Sequence, residues 1–137
     1  MTRLLTLCAA ALLTPALSAS ASAQQDASET HPETWVTITL TSFAFTPEVT
    51  ALEHGRRYVL HLDNQSGGGH NFAAPEFFAA ATIAPADRAK ISRGRVEVGG
   101  HSAVDIHLTA PATGSYALHC THFLHTSFGM HGSIVVR

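Results

Sequence analysis

Tyr116-Ala117-Leu118-His119-Cys120-Thr121-His122-Phe123-Leu124-His125-Thr126-Ser127-Phe128-Gly129-Met130-His131-Gly132-Ser133-Ile134-Val135-Val136 reads as a strand, a loop and a closing strand. Gly114 to Cys120 and Gly132 to Val136 have strand character. Between them, the eleven residues from Cys120 to Met130 offer a soft thiolate, an imidazole and a thioether. A copper ion cycling between Cu(I) and Cu(II) suits that set, with two His and one Cys in a trigonal plane and a long, weak axial Met. Zinc also takes Cys and His, but it prefers four strong ligands and gains little from a thioether. One loop can supply Cys, His and Met, so the second His has to come from elsewhere. His70, after the Gly67-Gly68-Gly69 turn, is the candidate.

Working outward, the rest of the chain is strand-rich. Trp35 to Leu40 is β-branched and alternating, Phe43 to Pro47 reads as a bend, and Glu48 to Leu52 as a short strand. Arg57 to Leu62 alternates cleanly and ends in the turn Asp63 to Gly69, after which His70-Asn71-Phe72 opens the next element. Arg95 to Val98 and Ser102 to Leu108 are further strands. Pro75 to Arg93 differs, being Ala-rich with Phe77 and Phe78, and fits one or two short helices broken at Pro85. Its Phe77-Phe78 pair is expected to face the core. Many short strands with turns between them predict an all-β, antiparallel β-sandwich with a short helical insertion.

The amino terminus reads as a targeting segment. Arg3 precedes the apolar stretch Leu4 to Leu17, and Ala21-Ser22-Ala23 fits signal-peptidase cleavage. The stretch is shorter than the roughly 20 apolar residues of a transmembrane helix. The expected organisation is a signal peptide over 1–23, a flexible leader over 24–34 and a single domain over 35–137, in the periplasm or otherwise exported. Cys8 would leave with the signal peptide, making Cys120 the only thiol of the mature chain. Exported proteins normally pair their cysteines, so a lone thiol is worth testing first as a metal ligand.

Charge excludes some classes of partner. Against 10 Asp and Glu the chain carries 8 Lys and Arg, with no basic run to hold a nucleic acid. The ten histidines hint at metal or proton chemistry. His54, His61, His101, His107, His119 and His131 are expected to be surface or packing residues, with room among them for a second, weaker copper site.

The segment from about Trp35 to Arg137 resembles the plastocyanin/azurin cupredoxins, type 1 blue copper proteins. Gly69-His70-Asn71-Phe72 is similar to the family's first-ligand motif. Tyr116 to Thr121, His125 and Gly129-Met130-His131-Gly132 are similar to its ligand loop and closing strand. The resemblance implies a Greek-key sandwich holding one copper ion through His70, Cys120, His125 and Met130. It also implies a hydrogen bond between Asn71 and Thr121 that ties the two ligand-bearing segments together. His122 is a rival to His125, but it would make the gap after Cys120 too short, and the four-residue gap from His125 to Met130 matches the family. The segment Pro75 to Arg93 departs from the pattern.

The implied function is an exported carrier of single electrons between redox partners, such as a cytochrome or a copper or haem oxidoreductase. The expected state is a monomer, with no nucleic acid and no membrane span. An alternative is a periplasmic copper-binding protein for homeostasis or resistance. Catalysis is not expected, because a copper whose positions are all filled by protein leaves no open site for substrate.

Overall fold

The computed structural model describes residues 32–123 and 129–137. Eleven strands are assigned there: β1 (Thr34–Leu40), β2 (Phe45–Thr46), β3 (Val49–Leu52), β4 (Arg57–Asn64), β5 (His70–Ala73), β6 (Thr82–Ile83), β7 (Ile91–Ser92), β8 (Arg95–Val98), β9 (Ser102–Thr109), β10 (Gly114–His119) and β11 (His131–Val136). One sheet runs β2-β1-β4-β9-β6 and the other β3-β11-β10-β5-β8-β7. The expected sandwich is present, with two pairings, β1 with β4 and β3 with β11, running parallel. β1 begins at Thr34, and Glu33 just ahead of it bonds Arg57 at 2.7 Å.

The alternation read from the sequence becomes the sandwich's interior. Ile38 and Leu40 of β1, Leu60 and Leu62 of β4, and Ile106 of β9 are buried from one sheet, against Phe72, Val96, Leu118 and Ile134 from the other. In a strand successive side chains alternate faces, so these positions recur at every second residue. Cys120 and Met130 belong to the same buried cluster, which sets the loop donors at one end of the core.

The insertion closes one side of the sandwich. After β5 the chain forms α1 (Pro75–Ala80), pairs with β9 through β6, turns through a 3₁₀ helix (Pro85–Lys90), and returns to the second sheet as β7. Pro begins both helices, where a missing N–H costs nothing. Phe77 is fully buried, edge-on to Tyr116 at 5.6 Å, and Phe78 lies edge-on to Phe72 at 5.9 Å. The core-facing reading of Phe77-Phe78 therefore holds. Truncating a core Phe to Ala costs about 3–5 kcal/mol, so α1 is anchored firmly. Gly94 takes φ +72°, and a Cβ there would lie 2.5 Å from Pro75, so only glycine lets the β7–β8 turn pass the start of α1.

Candidate metal centre

His70 opens β5 from a loop held by one side chain. The buried Asn64, at the end of β4, donates through Nδ2 to the carbonyls of Gly68 (2.8 Å), Gly99 (2.9 Å) and Val98 (3.1 Å). Its Oδ1 accepts from the Ser66 N–H (3.0 Å) and hydroxyl (2.8 Å). The β8–β9 turn packs so tightly on this loop that a Cβ on Gly100 would meet the Gly67 oxygen at 2.3 Å. The result is a His70 that is itself buried, beside a cleft lined by Ser42, Phe43, Ser66, Gly67 and Gly68.

Cys120 follows β10 directly and is fully buried. Its Sγ lies 3.8 Å from His70 Nδ1, and the Asn71 N–H points at the same sulfur at 3.5 Å. Met130 precedes β11, is fully buried, and accepts the Cys120 N–H through its carbonyl at 3.1 Å. The loop's two ends are thus clasped together. Three of the four expected ligands, His70, Cys120 and Met130, lie at the same end of the sandwich. The fourth, His125, lies outside the described residues.

The donor set fits a metal. Bonds of about 2.3 Å to sulfur and 2.0 Å to nitrogen, meeting near a trigonal angle, separate the two donors by about 3.7 Å. The observed 3.8 Å agrees. A buried thiolate needs a cation or several donors to offset its lost hydration, and the Asn71 N–H is one such donor.

Around these donors runs a polar girdle. Asn71 Nδ2 donates to Thr121 Oγ1 at 2.8 Å, and Asn71 Oδ1 accepts the Thr121 N–H at 2.9 Å. The tie between the two segments is therefore reciprocal. The second Nδ2 hydrogen goes to Glu97 Oε1 at 3.0 Å, and Glu97 Oε2 meets His122 Nε2 at 3.0 Å. Burial pushes the Glu97 carboxyl up, but hydrogen bonds from His122 and Asn71 and the nearby Arg95 outweigh it and hold the group below the usual carboxylate range. His122 also stacks on His70, with ring centroids 6.4 Å apart. Sequence reasoning had no signal for Glu97 beyond its place in an alternating strand.

Among the described residues the remaining histidines fall into surface and packing roles. His61 Nδ1 lies 2.6 Å from Asp105, His107 Nδ1 2.7 Å from Asp87, and His54 Nδ1 2.8 Å from the Pro111 carbonyl. Among the described residues, no group of three or more His, Cys, Asp or Glu side chains is arranged to hold a metal ion. Among them, too, no helix is long and apolar enough to cross a membrane.

The comparisons with known proteins agree with this fold. Auracyanin from Roseiflexus castenholzii, in its dithionite-reduced form, superposes with a TM-score of 0.57 at 19% identity, over 78% of this chain and 99% of that chain. Auracyanin A from Chloroflexus aurantiacus, described as a "blue" copper protein, gives 0.52 at 22% identity, over 75% and 99%. The McoA multicopper oxidase from Aquifex aeolicus gives 0.62 at 17% identity, over 79% of this chain but 30% of that one. A search of curated proteins finds no match. At these identities the structural likenesses speak for the fold. The family model of the cupredoxin-like domain matches residues 7–136, nearly the whole chain, and the protein accordingly belongs to the cupredoxin-like family.

Proposed function

We propose that the protein is an exported type 1 copper protein that carries single electrons, with one copper held by His70, Cys120, His125 and Met130. The observation that carries this reading is the pairing of a buried imidazole with a buried thiol at 3.8 Å, with a backbone N–H aimed at the sulfur. Copper in such a set supplies one-electron redox chemistry. The protein's own residues supply rigidity. Asn71 and Thr121 lock the two donor-bearing segments together, and burial of His70, Cys120 and Met130 keeps water from the donors. Phe123, 87% exposed just after the Cys120 segment, and Phe43, half exposed beside the His70 cleft, offer an apolar approach for a redox partner.

A carrier is proposed over an enzyme because four protein donors around one copper would leave no open position for substrate. The proposed partners are redox proteins, met by a monomer in the periplasm or an equivalent exported compartment after cleavage near Ala23. Copper homeostasis is the second reading, supported by the number of histidines.

The test is a spectrum of the copper-loaded mature protein with metal stoichiometry. One copper per chain and a thiolate-to-Cu(II) charge-transfer band are expected, and Cys120→Ser should abolish the band. A Ser variant that keeps its colour would remove Cys120 from the metal. Slow self-exchange, with several coppers bound or release to a chelator, would favour the homeostasis reading.

A further inference from the structure

The metal loop is held from outside the donor set by a carboxylate on another strand. Glu97 stands on β8 directly across the ladder from Asn71. Its Oε1 receives the Asn71 amide at 3.0 Å, and its Oε2 meets His122 Nε2 at 3.0 Å. Both contacts lead to the loop: Asn71 grips Thr121 through two hydrogen bonds, and His122 is the next residue. Arg95, on the same strand, lies 3.4 Å from Glu97 Oε1 and 3.5 Å from Thr121 Oγ1, and so closes the girdle.

We propose that Glu97 is a positioning residue for the metal loop, gripping Asn71 and His122 so that the segment after Cys120 leaves the sheet in one place. The inference rests on the copper reading for its purpose, but its geometry stands on the hydrogen bonds alone. An Asn amide can rotate about its last side-chain bond. Glu97 removes that freedom by taking the Nδ2 hydrogen that Thr121 does not use, leaving Oδ1 aimed at the Thr121 N–H. The same carboxylate gives the His122 ring a fixed partner. His122 is thereby a loop anchor, while the metal is assigned to His125.

The experiment measures amide hydrogen exchange by NMR in the copper-free protein, and the charge-transfer band in the copper-loaded one. Glu97→Ala should speed exchange at Thr121 about tenfold, the effect of losing one supporting hydrogen bond, with β9 amides such as Ile106 unchanged. The same variant should shift or broaden the copper band. Glu97→Gln keeps an acceptor for Asn71 and a polar partner for His122, so it should restore most of both signals. Unchanged exchange at Thr121 in the Ala variant would overturn the proposal. So would equal acceleration throughout the sandwich, or a Gln variant as impaired as Ala. A parent protein that bound no copper would sink the copper reading by itself and leave the exchange measurement to decide this one.

Discussion

Asn71 and Thr121, fifty residues apart in the chain, hold each other by two hydrogen bonds: Nδ2 to Oγ1 at 2.8 Å and the Thr121 N–H to Oδ1 at 2.9 Å. Each bond alone would leave the pair free to pivot. Together they make β5 and the start of the metal loop a single piece, and the Asn71 N–H extends the contact to Cys120 Sγ.

Asn71→Ala should therefore lower the unfolding free energy of the copper-free protein by about 1–2 kcal/mol, since its part-buried hydrogen bonds to Thr121 and Glu97 are lost while the exposed partners can turn to water. Urea denaturation measures it. A loss well under 1 kcal/mol would mean that other groups or water replace the amide.

The loop histidines should separate by spectrum. His125→Ala is expected to open the copper to external imidazole and change its colour. His122→Ala should leave the colour nearly intact, because its Nε2 is engaged by Glu97. Titrating both variants with imidazole decides the matter, and the reverse pattern would transfer the ligand role to His122.

Met130→Leu should retain copper and raise the reduction potential, because leucine offers no donor to stabilise Cu(II). Voltammetry of the variant and the parent is the measurement. An unchanged potential would make the buried Met130 a packing residue only.

Asp87 predicts a pH dependence. This carboxylate on the 3₁₀ helix is buried, and burial pushes its pKa up. Bonds from Lys90 (2.7 Å) and from the His107 N–H (2.8 Å) and ring (2.7 Å) overcome that and bring it to about 2. The folded pKa lies below the unfolded one, so the stabilisation is fully present above about pH 4 and lost as pH falls towards 2. Asp87→Asn should cost about 2 kcal/mol at pH 7. That difference from the parent should shrink as both are acidified. A difference independent of pH would show that packing, not charge, fastens the insertion to β9.

Much of this fold is legible in the chain because alternation is local. Arg57 to Leu62, Ser102 to Leu108 and Gly132 to Val136 each announce a strand by pattern, and each lies in one. Pro85 likewise marks where the second helix begins. The donors His70, Cys120 and Met130 stood out because their chemistry is rare and their spacing compact. What could not be read were relationships with no local signature. β6 and β7 are two residues each, too short to show a period. Asn64 reads as one turn residue among several, and only the fold shows its amide donating to three carbonyls. Glu97 and Asp87 are ordinary charges in the sequence, and acquire roles only when distant segments are brought to them.

The parallel pairing of β3 with β11 carries a consequence for how the molecule assembles. Val49 to Leu52 find their partners in Ser133 to Val136, across most of the domain, and β11 also pairs with β10, whose end carries Cys120. Chain closure over such a span is slow, in the millisecond-to-second range typical of non-local β topologies. β10 and β11 are consecutive strands that close on each other locally through the loop they flank, so the slow step is the arrival of the distant β3 and β5 at the two edges of this hairpin. Cys120 and Met130 are only ten residues apart and meet by local closure. His70 reaches Cys120 only when the distant β5 docks beside β10, and a metal ion arriving earlier would meet a thiol not yet sheltered from oxidation.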